Sequence, residues 1–134
     1  MPITVTLDQT GPTTSTATIR THTVAIDRPE AKGGSDEGAM GGELLLASLG
    51  GCFASNLYAA IAARNADVHD VRITVEGDLA ESPARYEAIR MHVTASCPDA
   101  EQLAKLVTMS ERACIVANTL KGSVALDVSS STVN

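Results

Sequence analysis

The sequence predicts an α+β fold: a largely antiparallel sheet packed on one long buried helix. Three observations carry this. Runs that alternate apolar and polar residues come in groups, Ile3–Leu7 with Thr13–Ile26 and Val71–Leu79 with Tyr86–Ser96. A charge-free apolar run, Leu44–Ala63, lies between the groups. A second, amphipathic helical pattern follows Pro98. Strands grouped in this way, instead of alternating singly with helices, favour α+β over a parallel α/β sheet. The chain has 134 residues, which fits one domain, residues 1–134.

Each element follows from local chemistry. Ile3, Val5 and Leu7 alternate with polar residues, as on a half-buried strand. Gln9-Thr10-Gly11-Pro12 reads as a turn. Thr13–Ile26 is rich in Thr, Val and Ile and reads as one bent strand or two short ones. From Arg28 to Gly42 the chain carries five glycines, Gly33, Gly34, Gly38, Gly41 and Gly42, and reads as a long loop. A loop of that length is either functional or a flexible surface excursion.

Glu43–Arg64 is predicted as the long helix. It is apolar on every face, so burial on every face is expected. Ala47, Gly51 and Ser55 recur every four residues and leave a shallow stripe that suits close helix packing. Leu44–Ala63 has roughly the length of a membrane span, about 20 residues. Its Ala and Gly content, with Ser48, Ser55 and Asn56, favours a buried helix of a soluble protein. One chain with a single sheet can hardly cover such a helix on both sides, so an obligate dimer is expected.

Val71–Leu79 and Tyr86–Ser96, joined through Ala80-Glu81-Ser82-Pro83, read as an antiparallel hairpin with one wet face. Pro98 suits a first helical turn, and Asp99 with Gln102 resembles a capping pair. Leu103, Leu106, Val107, Ser110 and Cys114 fall on or near one face of that helix. Ile115–Lys121 is a further short helix or a continuation, stopped by Gly122. Val124–Val128 is a closing strand, and Ser129–Asn134 reads as a frayed tail.

Composition excludes several functions. Aromatic residues are 2% of the chain, which argues against stacking on nucleic-acid bases. The net charge of −6 disfavours nucleic acid and anionic membranes as partners. Three scattered histidines, His22, His69 and His92, and three irregularly spaced cysteines do not make a metal site. No metal or organic cofactor is expected. The start, Met1-Pro2-Ile3-Thr4-Val5, lacks the regions of a signal peptide, so a cytoplasmic protein is expected. There thiols stay reduced, and a disulfide is usually catalytic or sensory.

The cysteines are the best nucleophile candidates. Cys52 follows Gly50-Gly51 in the most apolar segment, and Cys114 lies in Glu111-Arg-Ala-Cys114-Ile-Val-Ala-Asn-Thr-Leu120. On composition alone Cys52 is either inert core filler or a shielded redox nucleophile. Cys97, beside Pro98, reads as structural.

The run Gly42-Glu43-Leu44-Leu45-Leu46-Ala47-Ser48-Leu49-Gly50-Gly51-Cys52-Phe53 resembles the signature helix of the OsmC/Ohr family of hydroperoxide-reducing proteins. Cys114-Ile-Val-Ala-Asn118-Thr119-Leu120 resembles the family's second cysteine motif. The likeness extends over about Ile3 to Val128 and is specific when both motifs are taken with the element order. It implies an intertwined homodimer with active sites at the subunit interface. It implies Cys52 as peroxidatic thiol and Cys114 as resolving thiol. Organic hydroperoxides or hydrogen peroxide are the implied substrates, and an external dithiol the implied reductant.

The pattern departs from the family in two places. The family's hydroperoxide-resistance branch has glutamate ten positions before the cysteine; here Gly42 stands there and Glu43 follows, as in the OsmC-like branch. Nine residues of helix span roughly 13 Å, so Glu43 does not reach Cys52 along one unbroken helix. The arginine that the family places in its N-terminal strands has no recognisable local context here. Arg20, read as lying on a strand, and Arg28, at the start of the Gly-rich loop, are the candidates. Either lowers the Cys52 pKa in that role, with Glu43 orienting it; otherwise each is a solvated surface arginine. A non-catalytic protein that binds a small apolar ligand, or a redox sensor, is the alternative on the same fold.

Overall fold

The computed structural model describes residues 1–133. It contains two compact units, Met1–Leu45 and a larger one from Leu46 onward. The α+β class is observed, with two three-stranded sheets, one in each unit.

In the N-terminal unit, β1 (Thr6–Gln9), β2 (Ser15–Ile19) and β3 (His22–Ile26) form an antiparallel meander in sequence order. The first strand begins at Thr6, later than the alternation from Ile3 suggests. Thr13–Ile26 resolves into two strands, because Arg20 takes a left-handed conformation (φ 57°) and Ile19 pairs with His22. Arg20 therefore stands in the hairpin turn and not on a strand.

The Gly-rich segment folds back instead of straying from the unit. It makes a 3-10 turn at Glu30–Lys32 and rejoins β3, where the Asp27 N–H donates to the Ala39 carbonyl at 3.1 Å. A Cβ on Gly34 would overlap the Arg28 carbonyl oxygen, and one on Gly38 would overlap that of Ala25. Only glycine allows those approaches.

The long helix, α1, spans Gly41–Ala63. Met40 caps its start: its carbonyl accepts from the Leu44 N–H at 3.0 Å, and Glu43 Oε1 accepts from the Met40 N–H at 2.9 Å. This is the reciprocal half of a capping box. In the larger unit, Leu49, Phe53 and Leu57 recur every four residues along the buried face, each with no exposed surface. Gly50 lies on the same side; a Cβ there would stand 3.2 Å from Val75 Cγ2. Small size at Gly50 thus serves helix-to-sheet packing. Ala47, Ser48, Gly51, Ser55, Tyr58, Ala59 and Ala62 are exposed. In the single chain the helix is buried along one face, whereas its sequence is apolar all round.

That face packs on the second sheet. β4 (His69–Ala80) and β5 (Arg85–Ser96) are antiparallel, and β6 (Ala125–Thr132) runs parallel to β5 on its other side. The central strand supplies Ile89, Met91, Val93 and Ala95 to the core. α2 (Ala100–Ala113) adds Leu103, Leu106 and Val107. Its cap is Asp99, as predicted, although the carboxylate accepts from the Glu101 N–H at 3.0 Å.

The closing strand continues through Ser129–Thr132, which the sequence alone presents as a frayed tail. Ladder pairing explains the difference: Ser129, Ser131 and Thr132 align with His92, Thr94 and Ala95. His92 fixes the segment further, with Nδ1 2.7 Å from Ser129 Oγ and Nε2 2.9 Å from Ser131 Oγ. Asn134 lies outside the described residues.

Candidate functional site

The α2–α3 junction builds the site. Helix α2 ends when Cys114 adopts an extended backbone (φ −78°, ψ 114°), and α3 (Ile115–Leu120) starts at the next residue. Cys114 therefore closes one helix and caps the next. Its Sγ accepts from the Ala117 N–H at 3.4 Å, and its carbonyl accepts from the Asn118 N–H at 2.9 Å. Asn118 Nδ2 donates back to the Arg112 carbonyl at 3.0 Å, which ties the two helices at the break. The first backbone amides of α3 are left with no intrahelical acceptor, as at any helix start.

Cys52 faces that junction: the Val116 N–H, the Cys114 thiol and the Ile115 N–H all act to lower its pKa. Val116 makes the largest contribution, burial works in the opposite direction, and the outcome is a Cys52 pKa below the ordinary thiol value of 9.0. Backbone donors aimed at a sulfur stabilise its anion without any side-chain cation.

Cys114 is displaced the other way. It has no exposed surface, and burial pushes its thiol up. The Ala117 N–H partly opposes that, while donation to Cys52 and the charge on Cys52 raise it further. The pair is therefore polarised. Cys52 is half-buried and the stronger acid; Cys114 is enclosed and keeps its proton. Both are free thiols.

The sequence-predicted residues divide cleanly. Cys52 and Cys114 come together within the larger unit. Cys97 is a separate, buried thiol whose Sγ donates to the Asp99 carbonyl at 3.2 Å, in keeping with a structural role. Arg20, Arg28 and Glu43 belong to the N-terminal unit. Arg20 is in a hairpin turn, Arg28 begins the loop, and the Glu43 carboxylate engages the Met40 N–H. No group of His, Cys, Asp and Glu among the described residues is arranged to hold a metal.

Sequence reasoning missed Val116 and Ile115, which act through backbone N–H groups and so leave no trace in residue type. It also missed Asp27. That carboxylate is buried beneath the Gly-rich loop. Oδ1 accepts from the Arg28 N–H at 2.7 Å, and Oδ2 accepts from Thr14 Oγ1 at 3.0 Å, the Glu37 N–H at 3.2 Å and the Ser35 N–H at 3.3 Å. Burial opposes ionisation, yet the donors, Arg28 first among them, hold its pKa at about 2. The Asp-Arg-Pro sequence ahead of the glycines was the available signal.

A sequence profile of the OsmC-like protein family matches residues 34–129, a span that contains both cysteine motifs. No curated protein sequence matches the chain significantly. Several solved structures share the fold. An OsmC-like protein from Mycoplasma pneumoniae superposes with a TM-score of 0.86 at 18% identity, over 100% of this chain and 99% of its own. A hypothetical protein from Aquifex aeolicus gives 0.86 at 23% identity, over 99% and 97%. An organic hydroperoxide resistance protein OsmC from Legionella pneumophila gives 0.76 at 18% identity, over 98% and 97%. At those identities the structures speak for the fold, and the profile match for descent. The chain belongs to the OsmC-like protein family.

Proposed function

We propose that this protein is a thiol-dependent peroxidase that reduces organic hydroperoxides, with Cys52 as the attacking thiolate and Cys114 as the resolving thiol. The observation that carries the reading is the polarised pair: a half-buried Cys52 with a lowered pKa beside an enclosed Cys114 whose pKa is raised. The organic hydroperoxide resistance proteins among the structural neighbours agree with it.

The chemistry balances with these two residues. The Cys52 thiolate attacks the terminal peroxide oxygen, the O–O bond breaks, and the departing alkoxide takes a proton to leave as an alcohol. Cys52 is then a sulfenic acid. The Cys114 sulfur attacks it, water leaves, and a disulfide forms. An external dithiol reduces that disulfide and restores both thiols. Apolar neighbours of Cys52, Leu49 and Phe53, favour an organic peroxide over hydrogen peroxide. Arg20 or Arg28, oriented by Glu43, is the activating cation in this proposal, and single substitutions test which of the two it is.

The proposal includes a homodimer. The exposed face of α1 from Ala47 to Ala62 has no charged residue, and Leu45 and Tyr58 are 37% and 53% exposed. In the N-terminal unit, Ile3, Val5 and Leu7 are 90%, 43% and 55% exposed. Exposed apolar residues on each unit are what a second copy of the chain would cover. The cell compartment in this reading is the cytoplasm.

The test is consumption of cumene hydroperoxide and hydrogen peroxide by the purified protein with dithiothreitol or a dihydrolipoyl reductant, beside Cys52→Ser and Cys114→Ser. Multiple turnovers that vanish in Cys52→Ser are expected, with cumene hydroperoxide the faster oxidant. Absence of turnover in the wild type, with Cys52 slow toward a thiol reagent, would overturn the reading in favour of a ligand-binding role.

A further inference from the structure

The N-terminal unit carries a cleft of about 700 Å³. That is the size of a small-molecule site, roughly 300–1,000 Å³. Arg28 and Lys32 line it, together with the hydroxyls of Thr13 and Ser15 and the apolar side chains of Ile26 and Met40.

The two cations have no internal counter-ion. Neither side chain makes an ion pair with a described residue, although residues 27–43 contain five carboxylates, Asp27, Glu30, Asp36, Glu37 and Glu43. Asp27 lines the same cleft but already accepts four hydrogen bonds, and Glu43 is engaged by Met40.

We propose that this cleft binds a small organic carboxylate with a short apolar body. The Arg28 guanidinium offers a planar fork that matches a carboxylate, and Lys32 adds a mobile point charge. Ser15 supplies a further hydroxyl. Ile26 and Met40 supply the apolar wall that a bare inorganic anion has no use for. Binding requires neither cysteine, but Arg28 is also one of the two arginines that the thiol reading calls on, so Lys32 is the residue that separates the two readings.

The test is a nuclear magnetic resonance titration of the full chain with hexanoate. Two controls separate charge from body: 1-hexanol has the body without the charge, and inorganic phosphate the charge without the body. Saturable hexanoate binding is expected, with shifts at the backbone amides of Arg28, Lys32 and Gly41. Both controls should bind at least roughly tenfold more weakly, and Arg28→Ala and Lys32→Glu should each weaken hexanoate by a similar factor. Lys32 is exposed and has no role in the thiol reading, so Lys32→Glu keeps the test sound if Arg28→Ala perturbs the loop. Failure of hexanoate to saturate, undiminished binding by Lys32→Glu, or equal binding of either control would overturn the proposal.

Discussion

Among residues 1–45 only Thr14, Ala17 and Asp27 are buried, and the most connected of them is a carboxylate. From Leu46 onward the fully buried side chains are chiefly hydrocarbon: Phe53, Leu49, Leu57, Ile89, Met91, Leu103 and Leu106. The first unit is organised by directional bonds that converge on Asp27. The second is organised by area removed from water, which has no direction. The contrast teaches where each unit is vulnerable. A core held by area tolerates a change of shape but not of volume. A carboxylate hub tolerates neither loss of its acceptors nor an isosteric swap that turns one into a donor.

The largest effect should come from removing volume in the second unit. Phe53 has no exposed surface and sits among Leu49, Leu57 and the inner face of β5. Phe53→Ala should cost about 3–5 kcal/mol, the sum of lost transfer energy and the cavity left behind. Urea unfolding reads this as a fall in midpoint with little change in slope. A cost near that of a surface substitution would mean that the apolar cluster is not what holds this unit.

Asp27→Asn is the matching test in the first unit. Both carboxylate oxygens face donors only, so an amide placed either way sets an N–H against another N–H or O–H. The amides of Ser35 and Glu37 should lose hydrogen-exchange protection, while an aliphatic truncation such as Val24→Ala in the same unit leaves them protected. The pH dependence has a definite sign. Asp27 has a folded pKa of about 2 against 3.8 for an ordinary aspartate, so its stabilising contribution is complete above 3.8 and is lost as the pH falls through about 2. Loop protection should therefore outlast the pH at which ordinary aspartates protonate. Loss of protection at or above pH 3.8 would show that the carboxylate is not the hub.

These two tests also mark what the sequence made legible. Periodicity located all three helices and most of the strands, because burial by area imprints its period on residue type. The signature helix and the second cysteine motif were legible for a related reason: each resemblance is carried by residue types, Cys52 and Cys114 among them. Three features were illegible. Backbone donors such as Val116 and Ile115 have no residue signature. The Gly-rich segment looked like an open loop, because the residue that orders it, Asp27, precedes the glycines and acts through main-chain amides. Ser129–Thr132 looked like a tail, because a parallel edge strand fixed by His92 carries no apolar alternation.

The thiol pair sharpens the comparison from inside the apolar unit, since there backbone and thiol donors act on a sulfur beside the hydrocarbon core. Cys114→Ala removes one of three donors to Cys52, so the Cys52 pKa should rise. It should stay below 9.0, because the larger contribution, from the Val116 N–H, is untouched. Thiolate absorbance against pH, measured with Cys97→Ala in both backgrounds, gives the two values. A Cys52 pKa unmoved by Cys114→Ala would mean that the thiols are not in contact in solution, and the resolving role would fall with it.

The smallest expected effect is at Gly51, and its sign is what matters. A Cβ at Gly51 meets nothing within the chain, in contrast to the neighbouring Gly50. Within one chain Gly51→Ala should therefore stabilise α1 by about 1 kcal/mol, the ordinary difference between glycine and alanine in a helix. If a second copy packs its own helix on the exposed stripe of Ala47, Gly51 and Ser55, the added methyl stands where another backbone must approach, and the dimer should weaken instead. Sedentation of the variant against the wild type, run over a range of concentrations by analytical ultracentrifugation, distinguishes the two. A stabilised chain with unchanged association would remove this face from the interface and leave the exposed Ile3, Val5 and Leu7 as the surface that the second copy covers.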